Sequence, residues 1–149
     1  MKKFKFRYEQ LLNIRTRKVD DLKNTMGQLN FKLNSLEEQK TEKINMRTAY
    51  YDDVNQMLSK GCSSQQLRML NQQNSYFKRI LDTLDGEIRE VKLEIMQVRD
   101  QLNEAVKEQK IMEKLKEKEF ERYLEAIELN EAKVTEEIVN YTNYKGREE

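Results

Sequence analysis

Few residues in this sequence could do chemistry. The 149 residues include one thiol, Cys62, and no histidine. A cysteine nucleophile needs a neighbouring base or cation to hold it as thiolate, and an imidazole most often serves. Cys62 has no imidazole available and falls in a turn signal, so an exposed thiol without a catalytic role is the expected reading. One cysteine forms no internal disulfide, and without histidine the usual zinc ligand sets cannot be assembled. Adjacent carboxylates such as Glu136 and Glu137 fall on a charged helical face and need no acid–base role. No Gly-rich phosphate loop is present. No catalytic, cofactor-binding or metal-binding residue is assigned, no cofactor is expected, and the chain is not expected to be an enzyme.

Binding chemistry remains. The opening Lys2-Lys3-Phe4-Lys5-Phe6-Arg7-Tyr8 interleaves cations with aromatic rings, a combination found in nucleic-acid binding. It carries no recognised nucleic-acid motif, and the following turns mix acidic and basic residues, so no nucleic-acid partner is expected. Charge is balanced overall at 28 Lys and Arg against 27 Asp and Glu, and bulk charge therefore selects no partner. Its distribution is uneven. Residues 1–23 hold eight basic and three acidic side chains, a net of +5, whereas residues 104–149 hold nine basic and thirteen acidic, a net of −4. A solvated helix surface is favoured over a specific charge-reading site.

The elements that position these residues follow from composition and period. With 37% charged residues, 37% hydrophobic residues and no proline, the chain suits long helices with a thin core or, as the rival, disorder. Periodicity decides. Tyr8, Leu12, Arg15, Val19, Leu22, Met26, Leu29, Leu33 and Leu36 recur with alternating steps of four and three. A second series runs Leu67, Leu70, Asn74, Phe77, Leu81, Leu84, Ile88, Val91, Ile95, Val98, Leu102, Ala105, Gln109 and Met112. Narrow apolar stripes of this period are coiled-coil seams.

Between the series, Gly61 suits the left-handed position that closes a helix, with Lys60 near its negative end. Ser63 and Gln66 have the spacing of a capping box. Stop and start signals this close predict antiparallel neighbours. The alternative is one continuous helix in a parallel dimer, kinked at Gly61. The expected fold is all-α: two long helices in an antiparallel coiled-coil hairpin, with helix 2 overhanging helix 1. The expectation is a single domain over 1–149, with helix 1 near 5–58, a turn near 59–63, helix 2 near 64–141 and a frayed tail over 142–149. At 1.5 Å per residue the helices would be about 80 and about 115 Å long, forming a rod without an enclosed pocket.

A turn about Cys62 gives facing layers whose residue numbers have a constant sum. Leu12 then meets Met112, Val19 meets Ala105, Met26 meets Val98, Leu33 meets Val91 and Leu36 meets Ile88. Arg15 falls opposite Gln109, a polar layer of the kind that fixes register. Continued towards the turn, the register sets Lys40, Lys43 and Arg47 opposite Leu84, Leu81 and Phe77. Three readings stand: snorkelling of the basic stems over the apolar residues, a slip that brings Ile44, Tyr51 and Leu58 into the seam, or a poorly covered apolar patch edged by Tyr50, Tyr51 and Tyr76 and suited to binding. Past Met112 the stripe shifts to Phe120, Leu124, Ile127, Glu131, Val134, Ile138 and Tyr141, most of it without a partner in the chain. A partner protein is favoured there over fraying or a weak dimer.

The run Phe4-Lys5-Phe6-Arg7-Tyr8-Glu9-Gln10-Leu11-Leu12-Asn13-Ile14-Arg15 resembles the start of FliJ proteins. Glu113-Lys114-Leu115-Lys116-Glu117-Lys118 with Tyr123, and more loosely Val134-Thr135-Glu136-Glu137-Ile138, resemble two further blocks of that family, so the resemblance covers nearly the whole chain. It implies a stalk and adaptor of the bacterial flagellar type III export apparatus. Its implied partners are the hexameric export ATPase FliI, the export gate protein FlhA and, in some members, export chaperones. Family resemblance implies gate contacts at Tyr50, Tyr51, Phe77, Leu81 and Leu84. Contacts at the ATPase-ring end are implied for Phe4, Arg7, Leu11, Arg15, Leu115, Phe120, Leu124 and Ile127. The alternatives are the stalk of a virulence secretion system and a passive homodimeric tether. The basic start is followed by no apolar stretch and no run reaches the roughly 18 apolar residues of a membrane span. A cytoplasmic location, peripheral to the inner-membrane export apparatus and without membrane insertion, is therefore expected.

Overall fold

The computed structural model describes residues 2–148. Two helices fill most of that length, α1 over Glu9–Ser59 and α2 over Ser64–Glu148, with no strand among the described residues. The turn forms as its chemistry requires. Gly61 has a φ of 87°, which a side chain would strain. Its amide donates to the Leu58 carbonyl at 3.2 Å and the Lys60 amide to Met57 at 3.2 Å, tying off the end of α1. The capping box is complete: the Ser63 amide donates to Gln66 Oε1 at 2.9 Å, and the Gln66 amide donates to Ser63 Oγ at 3.2 Å. The helices pack antiparallel, and the kinked parallel arrangement does not form.

By its contacts the chain divides into two compact units, Asp21–Asn103 and Met1–Asp20 with Glu104–Glu149. In the first, Leu36, Leu84, Ile88, Val91 and Ile95 form the buried cluster, with Met26, Leu29, Leu33 and Ile80 packed against it. All but Ile80 are seam positions of the 3-4 repeat. Each fully buried Leu or Ile contributes about 1.5–3 kcal/mol, and in a thin rod that contribution is concentrated in the seam.

Towards the turn, the original register persists. Lys40, Lys43, Arg47, Tyr50, Val54 and Met57 are all half-buried, whereas of the three slip positions Ile44 is half-buried and Tyr51 and Leu58 are exposed. The slip is not taken. The reading of a poorly covered patch does not hold for its apolar base either, because Phe77, Leu81 and Leu84 are 5%, 8% and 7% exposed. Snorkelling accounts for this: Lys40, Lys43 and Arg47 stay half-buried along the seam, and Lys40 carries its ammonium out to Asp85 at 2.6 Å.

In the second unit Phe6, Leu12, Val19 and Ala105 are buried. Here α1 begins at Glu9 and not near residue 5. Residues i and i+2 do not share a face of a helix, yet Phe6 is buried and Phe4 half-buried while Lys3, Lys5 and Arg7 are exposed. A non-helical strap satisfies that alternation and a helix would not. The polar layer is also rearranged. Arg15 donates to Glu108 at 2.5 Å and Gln109 to Thr16 at 3.2 Å, so each finds a partner one residue from the expected one.

The expected frayed tail is helical instead, since α2 continues to Glu148; Glu149 lies outside the described residues. No proline interrupts it, and Lys145 and Arg147 in the last turn complement the negative helix end. The Lys145 ammonium also lies 5.5 Å from the Tyr141 ring centre.

Candidate functional site

In the unit Asp21–Asn103, four aromatic rings gather near the turn. Tyr50 lies 5.8 Å from Phe77 between ring centres and 6.3 Å from Tyr51, and Tyr76 lies 5.7 Å from Phe77. Phe77 is the buried anchor. The tyrosines spread from it to the surface, Tyr51 at 40% and Tyr76 at 42% exposed. The Tyr51 hydroxyl donates to Asn74 Oδ1 across the hairpin, fixing the ring's direction. Two open grooves flank the cluster, one lined by Ile44, Arg47, Tyr51 and Asn74, the other by Lys43, Tyr76, Ile80 and Leu84. Of the five residues implied for gate contact, Tyr51 is exposed and Tyr50 half-buried; Phe77, Leu81 and Leu84 support them from the core. Such a surface, with amphipathic rings on a rigid apolar base, is chemically suited to protein contact.

The second surface belongs to the other unit. Phe4 packs edge-on against Phe120 at 5.2 Å and against Tyr123 at 5.5 Å. The Tyr123 hydroxyl donates to the Lys2 carbonyl at 2.7 Å, pinning the strap. Lys116 reaches Glu9 at 3.0 Å. Phe4 and Phe120, two of the residues implied for the ATPase-ring end, are thus brought into one cluster. Arg15 is occupied by Glu108, Leu115 is half-buried, Arg7 is exposed beside Tyr8, and Leu11 is 38% exposed. Leu124 is 44% exposed and Ile127 half-buried, and the stripe beyond them stays open, with Val134, Ile138 and Tyr141 at 54%, 60% and 62%.

Among the described residues, no group of three His, Cys, Asp or Glu side chains could hold a metal ion, and no helix is long and apolar enough to cross a membrane. Residues 4–148 match the family model described as flagellar FliJ protein. The chain belongs to the FliJ family. No curated protein and no solved structure matches the chain. FliJ proteins are non-enzymatic components related to flagellar protein export.

Family resemblance and periodicity together still missed several residues. Tyr123 belongs to one of the family-like blocks, but its role in holding the strap depends on a contact across more than a hundred residues and leaves no local signal. Phe31, at 78% exposed, and Leu93 and Met96, at 60% and 59%, lie off the seam on the outer faces of the FliJ helices. Their helical phase shows that they face outward.

Proposed function

We propose that this FliJ-family chain is a coiled-coil stalk and adaptor of the flagellar type III export apparatus. It binds the FlhA export gate through the tyrosine surface near the turn. It binds the FliI ATPase hexamer through the strap and the open stripe of α2. It works at the cytoplasmic face of the inner membrane without inserting, and export chaperones are further partners. The observation that carries this reading is the family match over nearly the whole chain; the exposed aromatic and apolar side chains of both units are what such a role requires. The flagellar family favours this reading over a virulence-system stalk.

The burial of Phe77 and Leu81 decides how the gate contact is tested. Truncating either one removes seam packing, so any loss of binding would be confounded with loss of stability. Tyr51→Ala combined with Tyr76→Ala leaves the buried Phe77, Leu81 and Leu84 in place and gives up only the Tyr51–Asn74 hydrogen bond and the outer ring contacts. This variant is expected to weaken gate binding by about tenfold or more, in the range of interface hot spots, with unchanged helicity by circular dichroism. Gate affinity equal to that of the parent chain would sink the assignment of this surface.

A further inference from the structure

The outer side of α2 in the second unit carries an unusual arrangement of charge. Lys110, Lys114, Lys118 and Arg122 step by four residues, and so do Glu113, Glu117, Glu121 and Glu125. Steps of four trace the ridges of a helix surface, so a purely basic ridge runs beside a purely acidic one. All eight side chains are exposed. Measured from the mean direction of Ala105, Gln109, Lys116 and Tyr123, the α2 positions turned towards the N-terminal segment, seven of the eight lie between a quarter and half a turn away, and Glu113 lies at the border of that side. None of the eight takes part in an ion pair within 4 Å among the described residues. Within each ridge every i,i+4 neighbour has the same sign, and only the i,i+3 spacing between the ridges, as in Lys114 and Glu117, sets opposite charges near each other.

We propose that this face binds a second copy of the chain, with the two α2 helices antiparallel about a two-fold axis between Glu117 and Lys118. In that register Lys110 meets Glu125 of the second copy, Lys114 meets Glu121, Lys118 meets Glu117 and Arg122 meets Glu113. The symmetry repeats each pair. The match is possible because both ridges share one step, so the basic ridge read forward fits the acidic ridge read backward. Ridges of this class interdigitate at a crossing angle of about −50°, and a two-fold interface of this kind uses one patch on both copies.

Charge complementarity selects this occupant. An acidic protein, a nucleic acid or an anionic lipid surface would satisfy the basic ridge and be repelled by the acidic one, and a basic partner would meet the reverse. The surface requires both ridges in reversed order, and the chain itself supplies them.

The test is sedimentation of the full chain at low and high salt. The parent chain is expected to sediment as a dimer at low ionic strength and to dissociate as salt screens exposed charges. Lys114→Glu with Lys118→Glu should be monomeric, and so should Glu117→Lys with Glu121→Lys. An equimolar mixture of the two should recover the dimer, because each reversed ridge then faces its complement. Loss of dimer in the milder Lys114→Gln, Lys118→Gln variant, at unchanged helicity, would support the same contact without charge reversal. A parent chain that stays monomeric at low salt would overturn the proposal. So would a dimer indifferent to salt and to the reversals, the behaviour of an apolar contact through the Phe120–Tyr141 stripe, or a mixture that fails to dimerise.

Discussion

Leu84 and Ile138 occupy the same helix and the same kind of position in an apolar stripe, yet one is 7% exposed and the other 60%. Leu84 lies in the unit where α1 faces α2 and lends it the stems of Lys40 and Lys43. Ile138 lies where α2 has no facing helix. An apolar stripe therefore specifies that a helix wants a partner, and the supply of a partner within the chain decides whether the stripe becomes core or surface. The same contrast separates basic residues. Lys40 in the covered unit is drawn into the seam and paired with Asp85, whereas Lys114 and Lys118 in the other unit project freely.

The largest test of this contrast compares Leu84→Ala with Ile138→Ala in urea denaturation. Truncation of a buried leucine is expected to cost about 2–5 kcal/mol, and truncation of the exposed isoleucine about 0.5 kcal/mol or less. Equal costs would mean that the open stripe is covered in solution, and the contrast would fail.

A smaller effect is expected from Gly86→Ala. Beyond the adjoining residues and backbone of α2 itself, no atom lies within 4 Å of the added Cβ, and the position is interior to α2. Alanine should therefore stabilise the covered unit by about 1 kcal/mol through helix propensity, seen as a raised denaturation midpoint. A loss of stability there would show that the covered unit is packed more tightly around α2 than the seam implies.

The smallest concerns Lys40 and Asp85, whose side chains are 37% and 44% exposed. At that exposure the pair is screened, and Asp85→Asn should cost less than about 1 kcal/mol. The difference should shrink with added salt. A larger, salt-insensitive loss would show that Lys40 is held in the seam by its charge and not by its stem.

Much of this protein was legible before any coordinates. The 3-4 repeat from Leu12 to Leu36 and from Phe77 to Met112 carried the helices and the facing register, because both depend on period alone. Gly61 and the Ser63–Gln66 pair carried the turn, because left-handed backbone and capping are local chemistry. The open stripe after Phe120 followed from the unequal helix lengths. Less legible was how far local signals hold at the ends: α2 runs past the expected tail, and α1 starts late.

The tyrosine surface shows the limit most clearly. Sequence placed Tyr50, Tyr51, Phe77, Leu81 and Leu84 together, but could not say which were exposed. Three basic residues opposite three apolar ones are compatible with snorkelling, slippage or an open patch, which have similar local energies. Only packing chose among them, because the direction of a long side chain is set by the surface beneath it.

The sequence by itself thus determined two helices, a turn that favours their antiparallel pairing and the residues of the seam, through short-range period and capping. Tertiary structure alone decided that the Lys40–Arg47 stems cover Phe77, Leu81 and Leu84. It alone turned Phe4 and Phe6 into a strap pinned by Phe120 and Tyr123. Both outcomes depend on contacts between residues far apart in the chain, where geometry and not local propensity sets the free energy.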